Sequence, residues 1–383
     1  MRKLRMGLIG GGPGSFIGRI HRSAAAMDGQ IELVCGALSS DPEKSKVAGA
    51  AMFLDPQRVY DSYQQMIESE SRLASERRMD FVAIVTPNHV HYGPARLALE
   101  RGFHVIVDKP MCFSVEEAKA LRPVVEATGR VLAVTHTYSG YPMVKEARSL
   151  VASGRLGAIR KIYVEYPQGW LSSDLESSGN KQAGWRTDPT RSGAGGAIGD
   201  IGTHAAHLAE YVSGLRITAV NAMLNTFVQG RRLDDDSSML LRFDNGASGV
   251  LLATQVAAGE ENDLSIRVYG EKGGLEWRQV EPNSLVLRHL DKPKEILRAG
   301  WGYLGTAATG NTRTPPGHPE GYLEAFANIY LEFVRAVRDH HAGVRIDPKQ
   351  YDFPGVADGV RGMEFIDAVI RSAQSTQKWT VIE

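Results

Sequence analysis

The sequence predicts an α/β chain in two parts. The first, residues 1–138, is a parallel sheet covered by helices; the second, 139–383, is an α+β part with a large, mostly antiparallel sheet. Three observations predict this. Short apolar runs alternate with helical patterns up to about residue 138. Strands of period two joined by tight turns dominate after it. At 383 residues the chain is also too long for one ordinary core.

The apolar runs of the first part are 4–9 (LRMGLI), 31–38 (IELVCGAL), 81–85 (FVAIV), 103–107 (FHVIV) and 131–135 (VLAVT). They are nearly continuous, as strands buried on both faces are. Helical patterns fall at 18–27, 42–50, 92–101 and 114–128. Asp41 reads as an N-cap with Pro42 at the first helical position, and Ser114 with Glu117 as a capping box. In the second part a helix at 142–153 precedes strands near 159–166, 218–228, 238–243, 247–256, 264–269, 274–278 and 284–289. Asp244-Asn245-Gly246 is a hairpin turn. Helices at 203–213, 320–341 and 356–374 are expected to cover one face of this sheet, and residues 299–318 to form a long loop.

Forty-four Lys+Arg balance forty-four Asp+Glu, so no basic field exists to draw nucleic acid or an anionic membrane surface. The two cysteines, Cys35 and Cys112, lie in or beside apolar runs, which argues against a disulfide framework and for a reducing compartment. The opening MRKLRMGLIGGG lacks the apolar core and cleavage site of a signal peptide. No segment approaches the ~18 consecutive apolar residues of a membrane span. The expectation is a cytoplasmic protein with neither nucleic acid nor membrane as partner.

Three stretches carry chemistry. GLIGGGPGSFIGRIH links the first strand to the first helix. A dinucleotide site needs glycine for a tight turn, for close approach of the pyrophosphate and for helix–strand packing. Gly10 and Gly12 fit the first two roles, and Gly18 the third, three residues later than the usual spacing; Gly14 lies in the same loop. The helix N-terminus then offers amides and a dipole to the pyrophosphate. VTPNHVHYGPA ends the third strand and brings Thr86, Asn88 and His91 to the same edge, although His89 and His91 alone read as loop histidines. VIVDKPMC delivers Asp108, Lys109 and Pro110 at the tip of a buried strand, where open α/β sheets bind ligands. The plainer reading of that triplet is a surface ion pair and a turn.

In GAGGAIGDIGTHAAHLAEY, residues Asp200, His204 and His207 are spaced to share a helix face. They read as a capped, solvated face, as metal ligands, or as a carboxylate orienting an imidazole for proton transfer. The glycine run before them favours close approach by a ligand. Without a cysteine cluster or an H-E-x-x-H pattern, proton chemistry is preferred and no metal is expected.

Taken in this order, the motifs resemble those of the Gfo/Idh/MocA family, the glucose–fructose oxidoreductase and inositol dehydrogenase group, along nearly the whole chain. The family usually has Glu-Lys-Pro where this chain has Asp108-Lys109-Pro110, and Asp-x-Gly-x-His where it has Asp200 to His204. The resemblance implies an N-terminal Rossmann domain and a C-terminal open sheet that holds substrate and builds a homodimer or homotetramer. It implies hydride transfer between NAD or NADP and a carbohydrate or polyol carbon. It makes Lys109 the active-site lysine, Asp200 and His204 the substrate-side pair, and a cis Lys109–Pro110 bond plausible. Either Lys109 or His204 could take the proton. His136, Tyr138, Tyr141, His207 and His318 are candidate substrate contacts; Trp185 and Arg186 are expected to wall the nicotinamide. His207 stands where many members carry Asp. A glycoside hydrolase of the same fold and a non-catalytic dinucleotide-binding regulator are the rival readings.

NAD-selective sites place an acidic residue at the end of the second strand. Here Ser39 stands there, with Lys44 a helical turn beyond. A Ser and a Lys at this spacing hold the NADP phosphate in glucose–fructose oxidoreductase-like relatives. If Asp41 caps the helix, both cofactors are expected, with a slight preference for NADP.

Overall fold

The computed structural model describes residues 2–383, which divide into two compact units. The first comprises residues up to Thr137 together with Phe326–Val360. Its parallel sheet contains β1 (Leu4–Gly10), β2 (Ile31–Ala37), β3 (Phe81–Val85), β4 (His104–Val107) and β5 (Leu132–Val134), in the order β2-β1-β3-β4-β5. Outside β2, Val59 makes a single parallel bridge to Gly36, and the Tyr60 amide donates to the Gly36 carbonyl at 2.8 Å. The doubly wound order is thus present with its outer strand reduced to one bridge. The strand order reverses between β1 and β3, so a crevice opens beyond their carboxyl ends.

The helix Phe16–Met27 starts two residues before its sequence pattern, because Ser15 caps it by accepting from the Gly18 amide at 3.2 Å. A helix at Tyr63–Ser71 escaped the sequence reading; only Met66, Ile67 and Glu70 are buried on it, too few to make a period. The expectation for 320–341 needs correction. From Phe326 onward this helix belongs to the first unit, where Phe333 packs edge-on against Phe81 at 5.1 Å and the Tyr330 hydroxyl meets His21 Nδ1 at 2.8 Å. Phe326, Tyr330, Phe333 and Val337 form a stripe at helical spacing. Such a stripe does not declare which sheet it will cover. Further on, Pro354 accepts from the Val134 amide at 2.7 Å and so closes the β5 edge.

The second unit comprises Tyr138–Ala325 and Arg361–Glu383. Its strands are β6 (Ile159–Pro167), β7 (Ile217–Asn225), β8 (Asp236–Phe243), β9 (Ser248–Thr254), β10 (Ser265–Gly270), β11 (Gly273–Arg278), β12 (Ser284–His289), β13 (Glu295–Arg298) and β14 (Thr380–Val381). They form one nine-stranded sheet in the order β13-β12-β11-β10-β6-β9-β8-β7-β14, antiparallel except at β6–β9. The short β13 and β14 were not expected. One face packs Ile162, Val164, Leu251, Val268 and Trp277 against the helices Pro142–Ala152 and Thr203–Ser213, with Phe365, Ala368 and Val369 from Val356–Ala373. The alternate residues Met223, Leu240, Leu252 and Ile296 are exposed. Among the described residues no helix is long and apolar enough to cross a membrane.

Candidate active site

Within the first unit, Gly10, Gly11 and Gly14 adopt φ of 84°, 76° and 76°, a conformation that disfavours residues with a Cβ. A Cβ on Gly18 would lie 2.3 Å from the Gly11 Cα, so Gly18 fills the close-packing role assigned to it. Gly12 is constrained by the chain itself: its Cβ would lie 2.5 Å from the Leu38 carbonyl oxygen, to which its amide also donates at 3.1 Å. Beside this loop lies a groove of about 490 Å³ lined by Gly11–Phe16, Arg19 and Arg22. The sequence reading passed over these arginines; their signal was two cations three residues apart just inside the helix that follows the glycines.

At the tips of β3 and β4 the structure gathers the two predicted motifs. His91 is buried, with Nδ1 2.8 Å from the Pro110 carbonyl and Nε2 2.8 Å from the Thr86 carbonyl. The ring therefore sits between the loop after β3 and the turn that carries Lys109, and when neutral it has one N–H to donate to one of the two carbonyls. Burial pushes its pKa down, while Asp108 and the two carbonyls push it up, and burial prevails. Asp108 accepts from Thr135 Oγ1 at 2.9 Å and from the Lys109 amide at 3.0 Å. The Lys109–Pro110 peptide is cis. Asn88 and Pro110 are buried; Thr86, Asp108 and Lys109 are partly exposed.

The segment expected to select the cofactor has its acid engaged. Asp41 Oδ1 accepts from the Glu43 and Lys44 amides at 3.1 and 3.2 Å, and Lys44 Nζ lies 3.4 Å from Oδ2. The Ser39 hydroxyl accepts from the Asp41 amide at 3.1 Å.

Within the second unit, Asp200 sits in a single π-helical turn, Ile198–Gly202, that leads into Thr203–Ser213. Its Oδ2 accepts from Arg186 Nε at 3.1 Å and Gln255 Nε2 at 2.9 Å. A polar row continues from there. Gln255 reaches Gln168 Oε1 at 3.3 Å, Gln168 reaches Asn262 Oδ1 at 2.5 Å, and Asn262 receives the Tyr166 hydroxyl at 2.8 Å and donates to the Tyr138 hydroxyl at 3.2 Å. The Tyr138 ring meets His204 edge-on at 4.9 Å. Burial raises the pKa of both tyrosines, so both stay protonated and can donate. Gln168, Gln255 and Asn262 were missed because single amide residues at strand ends carry no motif.

The remaining candidates scatter. Arg186 turns its guanidinium to Asp200 and lies 4.3 Å from the Trp185 ring centre. His207 stacks on Tyr211, His136 is buried after β5, Tyr141 is buried against Trp277, and His318 is exposed. The glycine run before Asp200 has two kinds of surroundings: Gly199 has nothing within 4 Å of where a Cβ would lie, whereas Gly196 is closely met. It is Asp234 of this same chain that approaches: a Cβ on Gly196 would lie 2.0 Å from the Asp234 carbonyl oxygen. Elsewhere, His104, His340 and His341 cluster in the first unit. His104 Nδ1 accepts from the Val131 amide at 2.9 Å, so in the neutral ring the proton sits on Nε2. Burial and Arg130 further disfavour positive charge there. The cluster suits packed neutral rings better than a cation.

The tight turn at Gly10 and Gly11, the Gly18 contact and the basic groove together fit a dinucleotide pyrophosphate. Residues 4–136 match the oxidoreductase family with an NAD-binding Rossmann fold, and residues 144–276 match the GFO/IDH/MocA C-terminal domain. The chain belongs to the Gfo/Idh/MocA oxidoreductases. As a member of that family it is an NAD(P)-dependent oxidoreductase. Over 381 residues it is 30% identical to the uncharacterized oxidoreductase YfiI of Bacillus subtilis, covering 99% of this chain and 96% of that one. It is 28% identical to levoglucosan dehydrogenase of Pseudarthrobacter phenanthrenivorans, covering 99% and 98%. An inositol dehydrogenase homolog from Azotobacter vinelandii, solved with NAD+, superposes with a TM-score of 0.95 at 35% identity, covering 99% and 97%.

Proposed function

We propose that this Gfo/Idh/MocA member oxidises a carbinol carbon of a sugar, cyclitol or related polyol. The polar row from Asp200 through Gln255, Gln168 and Asn262 to Tyr138 and Tyr166 carries the reading. It offers donors and acceptors in succession, as a substrate with several hydroxyls requires. The Azotobacter homolog was also solved with NADH and myo-inositol, and levoglucosan dehydrogenase with NADH and levoglucosan, which supports the same class.

A nicotinamide dinucleotide bound by this chain would supply the hydride acceptor. The loop Gly10–Gly18, with Arg19 and Arg22, holds the dinucleotide, and His91 keeps the Lys109 turn in place. Lys109 hydrogen-bonds the reacting oxygen and stabilises its alkoxide character as hydride leaves. His204 takes the hydroxyl proton. Asp200, already neutralised by Arg186, is poorly placed to act as the base and instead orients its partners. Both cofactors are accepted with a slight preference for NADP, because Asp41 is committed to its helix cap; the NAD-bound relatives weigh on the other side. The exposed apolar residues of the second sheet, Met223, Leu240 and Leu252 among them, fit a homodimer or homotetramer. Cys35 and Cys112 are free and buried, in keeping with a reducing cytoplasm.

The test is a panel of sugars and cyclitols with NAD+ and NADP+, followed by nicotinamide absorbance. A dehydrogenase accumulates reduced cofactor; the glycoside hydrolase rival releases sugar with no net reduction. Light scattering at the 41.8 kDa of one chain would exclude the oligomer.

A further inference from the structure

The helix that follows Asp200 lacks a cap of its own. Its π-helical entry begins after Ala197, whose side chain offers no acceptor, and a helix start leaves several amides without partners. Asp234, in the loop before β8, meets three consecutive amides there. Its Oδ1 accepts from Gly196 at 2.6 Å, its backbone carbonyl from Ala197 at 2.8 Å, and its Oδ2 from Ile198 at 2.8 Å. Gly196 in turn accepts from the Asp200 amide at 2.9 Å. Gly196 has no room for a side chain, because a Cβ would fall on the Asp234 carbonyl. We propose that Asp234 is a positioning residue, a cap supplied from a distant loop that sets the place of Asp200 in the reaction.

The inference rests on the role of Asp200 given above. The same loop reaches Asp200 by a second route. The Asp235 carbonyl accepts from the Gln255 amide at 2.8 Å, and the Gln255 side chain bonds Asp200 Oδ2. Asp234 therefore fixes the main chain of the catalytic turn while its neighbour fixes a partner of the carboxylate. The charged groups facing Asp234 are Asp235 on its own loop, and Arg186 and Arg231, which line the same small cavity. Arg231 is engaged by Glu176 and Asp235, and Arg186 by Asp200. Burial and Asp235 raise the Asp234 pKa to about 6, against the loop amides, which favour the charged form. Because the folded loop holds this proton more tightly than the open chain does, the fold around Asp234 gains rather than loses stability as pH falls from about 6.

Asp234→Asn keeps the size of the side chain but turns an amide nitrogen towards one of the loop amides. We expect kcat to fall tenfold or more with cofactor affinity unchanged. Asp234→Glu, which retains the carboxylate, should recover part of the loss. Amide exchange of residues 193–202, followed by mass spectrometry, should rise severalfold in Asp234→Asn. This readout needs no substrate, so it tests the cap even if the substrate reading fails. Unchanged exchange would overturn the cap. Increased exchange with native kcat would overturn the positioning role. So would a kcat loss matched by equal loss in Asp234→Glu and by weakened cofactor binding, because that pattern is general unfolding.

Discussion

The chain has two glycine-rich stretches, 10–18 and 193–202, and the structure uses them differently. In the first, Gly10, Gly11 and Gly14 take positive φ, and Gly14 has nothing within 4 Å of where a Cβ would be. Those glycines shape a turn beside an open groove. In the second, Gly196 and Gly202 are small because other parts of the chain occupy the space: the Asp234 carbonyl at 2.0 Å and the Ile198 side chain at 2.4 Å. The first run borders an open groove, although Gly12 and Gly18 also pack on the chain, whereas the second is closed at Gly196 and Gly202 and open at Gly199. Glycine content alone says that something comes close; only the fold says what.

The largest test of this contrast separates the first run from the chemistry beside it. Lys109→Met should cost ~10²–10³ in kcat while leaving dinucleotide dissociation constants within a few-fold. A near-native kcat on the best substrate would remove Lys109 from the reaction.

A second test uses acid. His21 lies in the helix that the first run opens and is fully buried, its pKa lowered from 6.5 to about 4 by desolvation. The unfolded chain binds a proton there that the folded chain refuses. The stability it contributes is whole above about pH 6.5 and is lost as pH falls towards 4, by about 3 kcal/mol at the limit. Calorimetry across this range should show a shallower acid decline for His21→Leu, whatever its cost at neutral pH. Parallel curves would mean that His21 does not carry the acid sensitivity.

Two alanine substitutions then set the runs against each other. Gly196→Ala should destabilise by about 1–3 kcal/mol and lower kcat, because the backbone must move away from Asp234. Cofactor affinity should hold. Gly14→Ala should cost about 1 kcal/mol through strain alone and act on cofactor affinity instead. The contrast fails if both variants lose the same property in titrations with reduced cofactor.

The smallest expected effect is at Lys44. Its replacement by Ala should weaken NADPH binding by less than tenfold, about 1.4 kcal/mol at most, and spare NADH. A parent that prefers NADH more than tenfold, unchanged by the substitution, would make Asp41 the selector.

Much of the fold was legible because it is written in local pattern. Continuous apolar runs at 81–85 and 103–107 specify buried parallel strands, and Ser114 and Asp41 mark helix starts that the structure reproduces. The site was legible where chemistry comes in contiguous motifs: the glycine turn, Asp108-Lys109-Pro110 and Asp200 to His204. It was not legible where one residue acts across the chain. Nothing near Asp234 announces a cap for Gly196 and Ile198, 38 and 36 residues away. Nothing in Gln168, Gln255 or Asn262 announces a polar row. His91 read as a loop histidine, since only the folded chain puts Pro110 and Thr86 at its two nitrogens.

By itself, then, the sequence determined most of the elements, their order and the residue types at the tips of β3 and β4, because periodicity, capping and turn chemistry are short-range forces acting within a few residues. Only the tertiary structure decided that Phe326–Val360 returns to the parallel-sheet unit. It alone decided that the second glycine run packs on Asp234, and that Asp200 sits between Arg186 and Gln255. Burial is not directional: an apolar stripe or a small residue suits any complementary surface, and the chain's full set of contacts selects one.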